Sequence, residues 1–341
     1  MQECCNLYGE QCGKMPSPLS EGVFFLKPFK TLTEQIQLLR SRNLTINDED
    51  YAKKYLLSNN YYNIINGYSK FFPMEGENYI GDTTFEEVAR LYLFDKELKQ
   101  AFFKAILNAE SHLKSIFAYR FAEIFSNKPY SYLNIECYAQ EKTLSVISTI
   151  SRLSQIISRQ QKFPESSIAH YIQNHNEIPI WVLVNQLEFG ELRNMLTSST
   201  AQLQNRVAKD LCDFIKQNLS RVATFPPEIM ISFVENMNEV RNICAHTNRL
   251  IGFKCRRDSK YWNVLHDNYG IAPENERRNV YSVFVSTQCF LSKMEYCALH
   301  NKIKKLVHIH LEKHLNSITS NEIMQKLGFP IDWHLLPKLT C

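Results

Sequence analysis

Along most of this chain apolar residues recur at the three-to-four-residue interval of a helix, not the two-residue interval of a strand. The longest such run covers residues 85 to about 125. Val88, Leu91, Tyr92, Phe94, Leu98, Phe102, Ile106, Ala109, Leu113, Ile116 and Phe117 fall on it at helical spacing, a length that predicts a buried central element. Asp82/Thr83 cap its start, Lys128-Pro129 end it, and Glu110, His112 and Lys114 stand near its middle. Upstream, Thr31 with Glu34 three positions on forms a capping box, and Asp48 caps a second helix bearing Tyr51, Tyr55 and Leu56. Residues 60–72 are dense in aromatics and amides; the cluster reads first as packing between two helices, with base stacking, at Tyr61-Tyr62 above all, as the alternative. Gly76 and Gly81 mark a loop with a short hairpin. Downstream come helices over residues 141–160, 167–174 and 203–219. Another is opened by Pro179-Ile180-Trp181 and closed or bent by Phe189-Gly190. After Pro226-Pro227 a helix runs from about residue 227 to about 251, and a last long one from about 277 to about 315. Roughly nine helices and almost no strand define an all-α protein.

The helix from 227 to 251 differs from an ordinary surface helix. At about 100° per residue, Phe233, Met237, Val240 and Cys244 share one side. Glu235, Asn238, Asn242, His246 and Arg249 fall within about 40° of a line on the other, with Arg241 on the flank. Carboxylate, amide, imidazole and guanidinium groups in a row make a site-like stripe.

Composition narrows the picture. The 44% hydrophobic content supports a real core, and 10 Gly with 12 Pro in 341 residues disfavour a turn-rich all-β fold. Net charge is only +4, but Arg249, Lys254, Arg256, Arg257 and Lys260 against Asp258 concentrate that much in one short stretch. The ten cysteines are scattered without a CxxC pair, and Cys4, Cys5 and Cys12 lack a fourth ligand, so no metal site is expected. His310 and His314 have metal-ligand spacing, yet with Lys302, Lys304 and Lys305 nearby they read as a solvated basic face or an RNA-backbone surface. Residues 1–14 lack the apolar stretch of a signal peptide, and the apolar run 178–187 contains Pro179 and is too short to cross a bilayer. A soluble protein of a reducing cytoplasm, without a membrane segment or cofactor, is the expectation. Glycine-rich phosphate loops, a G-x-S-x-G elbow and a dinucleotide fingerprint are absent, which leaves ATPase, hydrolase and dehydrogenase readings unsupported.

Arg241 to His246 fits the Arg-x4-His motif of HEPN domains, helical modules many of which are ribonucleases. An ordered series of landmarks surrounds it: Lys27-Pro28 with Gln35-x-x-Leu38-Leu39, Ile46-x-Asp48, Tyr61-Tyr62 with Gly67-Tyr68, Thr84-Phe85, and Leu91-Tyr92-x-Phe94-Asp95. Pro179-x-Trp181, Phe189-Gly190, Arg249-Leu250, Gly328-Phe329-Pro330 and Trp333 continue it. From roughly residue 25 to 335 the chain resembles the abortive-infection family of bacterial antiphage proteins, the AbiD/AbiF group. The resemblance implies a HEPN-type helical bundle that cleaves RNA or restrains host growth during phage infection. It also implies a small structured noncoding RNA as a further partner. Two positions depart from the family pattern: Glu110-x-x-x-Lys114 replaces Glu-x-x-x-Arg, and Asn185 replaces a Glu after Pro-x-Trp. Lysine cannot copy the arginine fork.

On that resemblance the catalytic set is Arg241, Asn242 and His246. Histidine titrates near neutrality and is the natural acid/base, arginine clamps a phosphate, and the amide orients the ring. Glu110, Lys114 and Arg249 support them, with Glu110 orienting His246 if the long helix packs on this one. Lys254, Arg256, Arg257, Lys260, Lys302, Lys304 and Lys305 bind the RNA backbone. Attack by the RNA 2′-hydroxyl gives 2′,3′-cyclic phosphate and 5′-hydroxyl ends without a metal. Arg241 and His246 stand about 140° apart on a continuous helix, so two helices paired across a two-fold axis complete one cleft, predicting a homodimer. The rival readings are a non-catalytic RNA-binding effector that holds a small noncoding RNA, and a toxin masked by a partner. The predicted organisation is a flexible tail (1–20), an N-terminal helical region (21–82), a HEPN-like core (83–316) and a C-terminal extension (317–341).

Overall fold

The computed structural model describes residues 28–175, 177–219 and 224–340; the predicted N-terminal tail lies outside them. The all-α reading holds. Helices α1 (Leu32–Ser41), α2 (Glu49–Asn59), α3 (Phe85–Ile124), α4 (Thr143–Gln160), α5 (Ser167–His175), α6 (Ile180–Leu183) and α7 (Phe189–Ser198) come first. They are followed by α8 (Ala201–Leu219), α9 (Pro227–Ala245), α10 (Asn263–His266), α11 (Val280–Ser286), α12 (Lys293–Leu306) and α13 (Ser320–Lys326). Among the described residues the only strands are β1 (Met74–Glu75) and β2 (Asn78–Tyr79), an antiparallel hairpin pairing Met74 with Tyr79.

Local chemistry explains most boundaries. The Thr31/Glu34 box starts α1, and the Asp48 carboxylate accepts the Tyr51 N–H at the start of α2. The cap of α3 is Thr84, one residue past the expected pair, in a box with Glu87. That carboxylate also accepts the Asn316 and Ser317 N–H groups, tying the start of α3 to the chain beyond α12. Burial pushes the Glu87 carboxyl up, but the N–H groups of Ser317, Asn316 and Thr84 outweigh it and hold it below its ordinary value.

Three expected boundaries are corrected. Phe189-Gly190 opens α7 instead of closing the preceding helix, because a reciprocal Glu188/Glu191 box starts a new one there. The last helix is broken: α11 runs into a 3-10 turn at Thr287–Cys289, and a Ser292/Glu295 box starts α12 afresh. Most consequentially, α9 stops at Ala245, with His246 extended at φ −113°, ψ 176°.

Helices α3 and α9 form the centre. α9 packs against α3, α7, α8 and α11; α3 also packs against α6, α8 and α12. Surrounded this way, α9 is buried on more than its apolar side: Phe233, Met237 and Val240 are fully enclosed, and Asn238 of the expected polar stripe is buried as well. Each large apolar side chain so enclosed stabilises by about 1.5–3 kcal/mol. One contiguous core joins Ile36 to Trp333.

Candidate functional site

The predicted stripe leads into a cleft of ≈ 1410 Å³ at the C-terminal end of α9. Asn242 and His246 line it with Lys96 and Lys99 of α3, and with Arg249, Lys254 and Arg256 from the chain after α9. A third set comes from the segment after α2, namely Tyr62, Asn63, Asn66 and Tyr68. Five cationic side chains face a single carboxylate, Glu239, in this lining. A concave surface with this charge concentrates anions.

Long-range bonds, not local sequence, set the geometry around His246. The Lys99 ammonium donates to the carbonyls of His246 (3.3 Å) and Asn248 (2.8 Å), capping the end of α9 from another helix. The Asp95 carboxylate, fully buried, accepts the N–H groups of Leu250 and Ile251 (2.9 Å for Ile251) and the Tyr68 hydroxyl at 2.7 Å. Burial pushes the Asp95 carboxyl up, against the pull of those three donors and of nearby Lys99. The loop is therefore pinned on both sides of His246, whose exposed imidazole has no bonded partner among the described residues.

Arg249 plays a different part from the expected second phosphate clamp. Its Nε donates to the Ile251 carbonyl at 2.8 Å, its Nη1 bonds the Gly67 carbonyl, and its guanidinium lies 4.9 Å from the Phe71 ring centre. It ties the loop to the segment after α2, with its fork already engaged.

Arg241 does not line the cleft. Its guanidinium sits over the Phe103 ring at 5.7 Å, Nη1 reaches Asn242 Oδ1 at 3.4 Å, and Nε is buried without a partner among the described residues. Because His246 has left the helix, the 140° separation calculated for a continuous helix does not apply. His246 lines the cleft and Arg241 does not.

The supporting pair is elsewhere. Glu110 and Lys114 form a 2.8 Å ion pair one turn apart, and Lys114 donates to the Leu187 carbonyl at 2.6 Å. α3 and α9 run antiparallel, with Phe103 beside Arg241 and Lys99 beside His246. Glu110 lies about 16 Å of helix axis beyond Lys99, so it does not orient the imidazole. Asn185 lines a second cavity with Trp181, Tyr119 and Ser115, and bonds the Trp181 carbonyl.

The predicted backbone-binding set divides in the same way. Lys254 and Arg256 line the cleft, although Lys254 also pairs with Glu276 at 2.8 Å. Arg257 and Lys260 are exposed outside it. Lys302 pairs with Glu97, which stands about 200° around α3 from the cleft-facing Lys99. Lys304 is half-buried, and burial, then Lys338, lowers its ammonium pKa; Lys305 is exposed on the same helix. The histidine face is corrected too: His310 is buried, and His308 bonds Glu312 at 2.7 Å.

A family model described as Abi-like protein matches residues 54–252, more than half of the chain. The chain belongs to the Abi-like family. That membership gives it an abortive-infection role. The Abi-like segment runs from α2 to the loop after α9. It contains Asp95, Lys99, Asn242, His246 and the tyrosines of the cleft, whereas Lys254 and Arg256 lie beyond it. No curated protein and no solved structure matched the chain. Among the described residues no helix is long and apolar enough to cross a membrane.

Sequence reasoning ranked helix packing ahead of base stacking for the segment that brings Tyr62, Asn63 and Asn66 to the cleft, and it did not single out Lys96 and Lys99. The signal for the first three was the interleaving of amides with aromatics, which a purely structural cluster does not require.

Proposed function

We propose that this Abi-like protein is a metal-independent endoribonuclease of the HEPN type, related to the AbiD/AbiF group, with His246 as its acid/base. One observation carries this reading: His246 and Asn242 share a cationic cleft with the imidazole unbonded and exposed. RNA supplies its own nucleophile. His246 takes the proton as the 2′-oxygen attacks phosphorus, the bond to the 5′-oxygen breaks, and the departing oxygen takes a proton from the imidazolium of a second His246, supplied by another copy of the chain. Lys96 and the free N–H of Lys99 are suited to the phosphorane charge, and Lys254 and Arg256 to flanking phosphates. The products carry 2′,3′-cyclic phosphate and 5′-hydroxyl ends.

A second copy of the chain completes the site in this proposal. Attack and departure lie on opposite sides of phosphorus, which one imidazole serves poorly, and Arg241 does not line its own cleft. A two-fold homodimer supplies a second His246 and brings an Arg241 to the substrate. Light scattering on the eluting protein tests it: full activity from a monomer rejects the composite site.

A second reading, RNA binding without cleavage, is favoured by the absence of any orienting partner for the imidazole among the described residues. Here the cleft holds a small structured noncoding RNA. Expressing wild type and His246→Ala in cells and sequencing RNA ends separates the two. New 5′-hydroxyl termini dependent on His246 support the nuclease; their absence with salt-sensitive RNA binding intact supports the effector.

A further inference from the structure

The cleft has an uncharged wall that phosphate binding leaves unexplained. Asn60 adopts φ 64°, which an asparagine tolerates better than most residues, and its side chain accepts the Tyr62 N–H at 2.9 Å. The chain then reverses into a π-helical segment, Tyr62–Asn66. Ile64 and Ile65 anchor that segment in the core, which turns Tyr62, Asn63 and Asn66 outward into the cleft. Tyr62 is 69% exposed and lines the cleft, so its ring is accessible from it. Asn66 has no side-chain bond among the described residues, and Asn63 uses only its Nδ2, on the Asn59 carbonyl at 3.3 Å. The segment is fixed to the His246 loop by the Arg249–Gly67 bond and by Tyr68 on Asp95. The backbone segments that carry the ring, the two amides and the imidazole are thus tied to one another.

From this juxtaposition we infer a nucleobase-recognition site: Tyr62 stacks a base, Asn63 and Asn66 bond its edge, and the adjoining phosphate meets Lys96, Lys99 and His246. The inference rests on the RNA reading above and names its substrate class as unpaired RNA. A stacking ring needs an exposed base face, and an edge-reading amide needs an exposed base edge; an A-form duplex hides the first and obstructs the second. An amide offers a donor and an acceptor together, which matches a base edge and wastes half its capacity on a phosphate. Had duplex RNA been the ligand, cationic side chains alone would serve.

The test uses the full chain carrying His246→Ala, so that RNA is bound and not cut. The probe is a 12-nucleotide RNA with a fluorescent 2-aminopurine, offered single-stranded and as a duplex with its complement. The expected result is at least tenfold tighter binding of the single strand, with quenching of the fluorophore. Tyr62→Ala weakens binding about 5- to 100-fold and removes the quenching, the usual range for losing one stacked base. Tyr62→Phe retains both, and the exposure of Tyr62 leaves melting unchanged in either variant. Salt-sensitive binding that is equal for duplex and strand, or indifferent to Tyr62→Ala, overturns this inference and leaves the RNA reading standing. No binding of either RNA overturns both.

Discussion

Two buried carboxylates on α3 are handled in opposite ways. Asp95 is 0% exposed and Glu110 5%, and about 22 Å of one helix separates them. Asp95 accepts from a tyrosine and two backbone N–H groups, all from segments far away in sequence. Glu110 pairs with Lys114 one turn on, and its Oε2 has no partner among the described residues. The first carboxylate holds the loop that carries His246; the second belongs to a local pair that braces α3 against Leu187. The Glu-x-x-x-Lys departure from the family pattern therefore falls away from the imidazole, and the residues that position His246 are Asp95 and Lys99.

The comparison is most exposed at Asp95. Asp95→Ala strands the Leu250 and Ile251 N–H groups and the Tyr68 hydroxyl, each costing about 1–3 kcal/mol when buried and unbonded. Denaturant unfolding should show a loss of about 4 kcal/mol, and any RNA cleavage should vanish with the loop. A loss below about 1 kcal/mol would mean that the loop holds itself, against the usual penalty for such groups.

A third buried polar group, His266, separates charge from hydrogen bonding. Its Nδ1 accepts the Trp262 N–H at 2.8 Å, which leaves the proton on a buried Nε2. Burial, reinforced by nearby Arg277, lowers its pKa to about 4. The unfolded chain takes up this proton first as pH falls, so the contribution is complete above about 6.5 and is lost between there and about 4. The loss is at most about 3 kcal/mol, and His266→Gln should flatten the slope of unfolding free energy across that window. An unchanged slope would mean that other groups carry it.

Breaking the local pair should cost less than breaking the Asp95 node. Glu110→Gln leaves a nearly enclosed Lys114 ammonium without its counter-ion, a loss of about 2–3 kcal/mol by thermal unfolding. The double change Glu110→Gln, Lys114→Met should recover most of it. Both should keep RNA cleavage if the pair only braces α3, and a nuclease-dead, well-folded Glu110→Gln would return Glu110 to the site. The smallest effect is at Lys96, exposed on the same helix: Lys96→Ala should leave stability within about 0.5 kcal/mol and weaken RNA binding several-fold at low salt.

The fold was largely legible in the sequence because its signals are local. The Thr31/Glu34 box, the Asp48 cap and the apolar repeat of α3 each name their own element. The break before α12 was legible in kind, since Ser292 and Glu295 spell a capping box that the continuing apolar repeat concealed. The end of α9 was not. Nothing between Ala245 and Arg249 resembles a helix stop; the chain is drawn off its helical course by Lys99 and Asp95, about 150 residues earlier in the sequence. Asn242 and His246 were singled out by type and spacing and both line the cleft, whereas the use of Arg249 as a tether follows from Gly67 and Phe71, which only the tertiary fold brings to it.

The central claim is that His246 performs chemistry on RNA within this cleft. Purified wild type and His246→Ala, matched for melting temperature, should be incubated with single-stranded RNA in excess EDTA and the product ends analysed. Wild type should yield 2′,3′-cyclic phosphate and 5′-hydroxyl ends, and His246→Ala none. Equal cleavage by both, or intact RNA from a wild-type dimer that binds it, would exclude His246 as the acid/base.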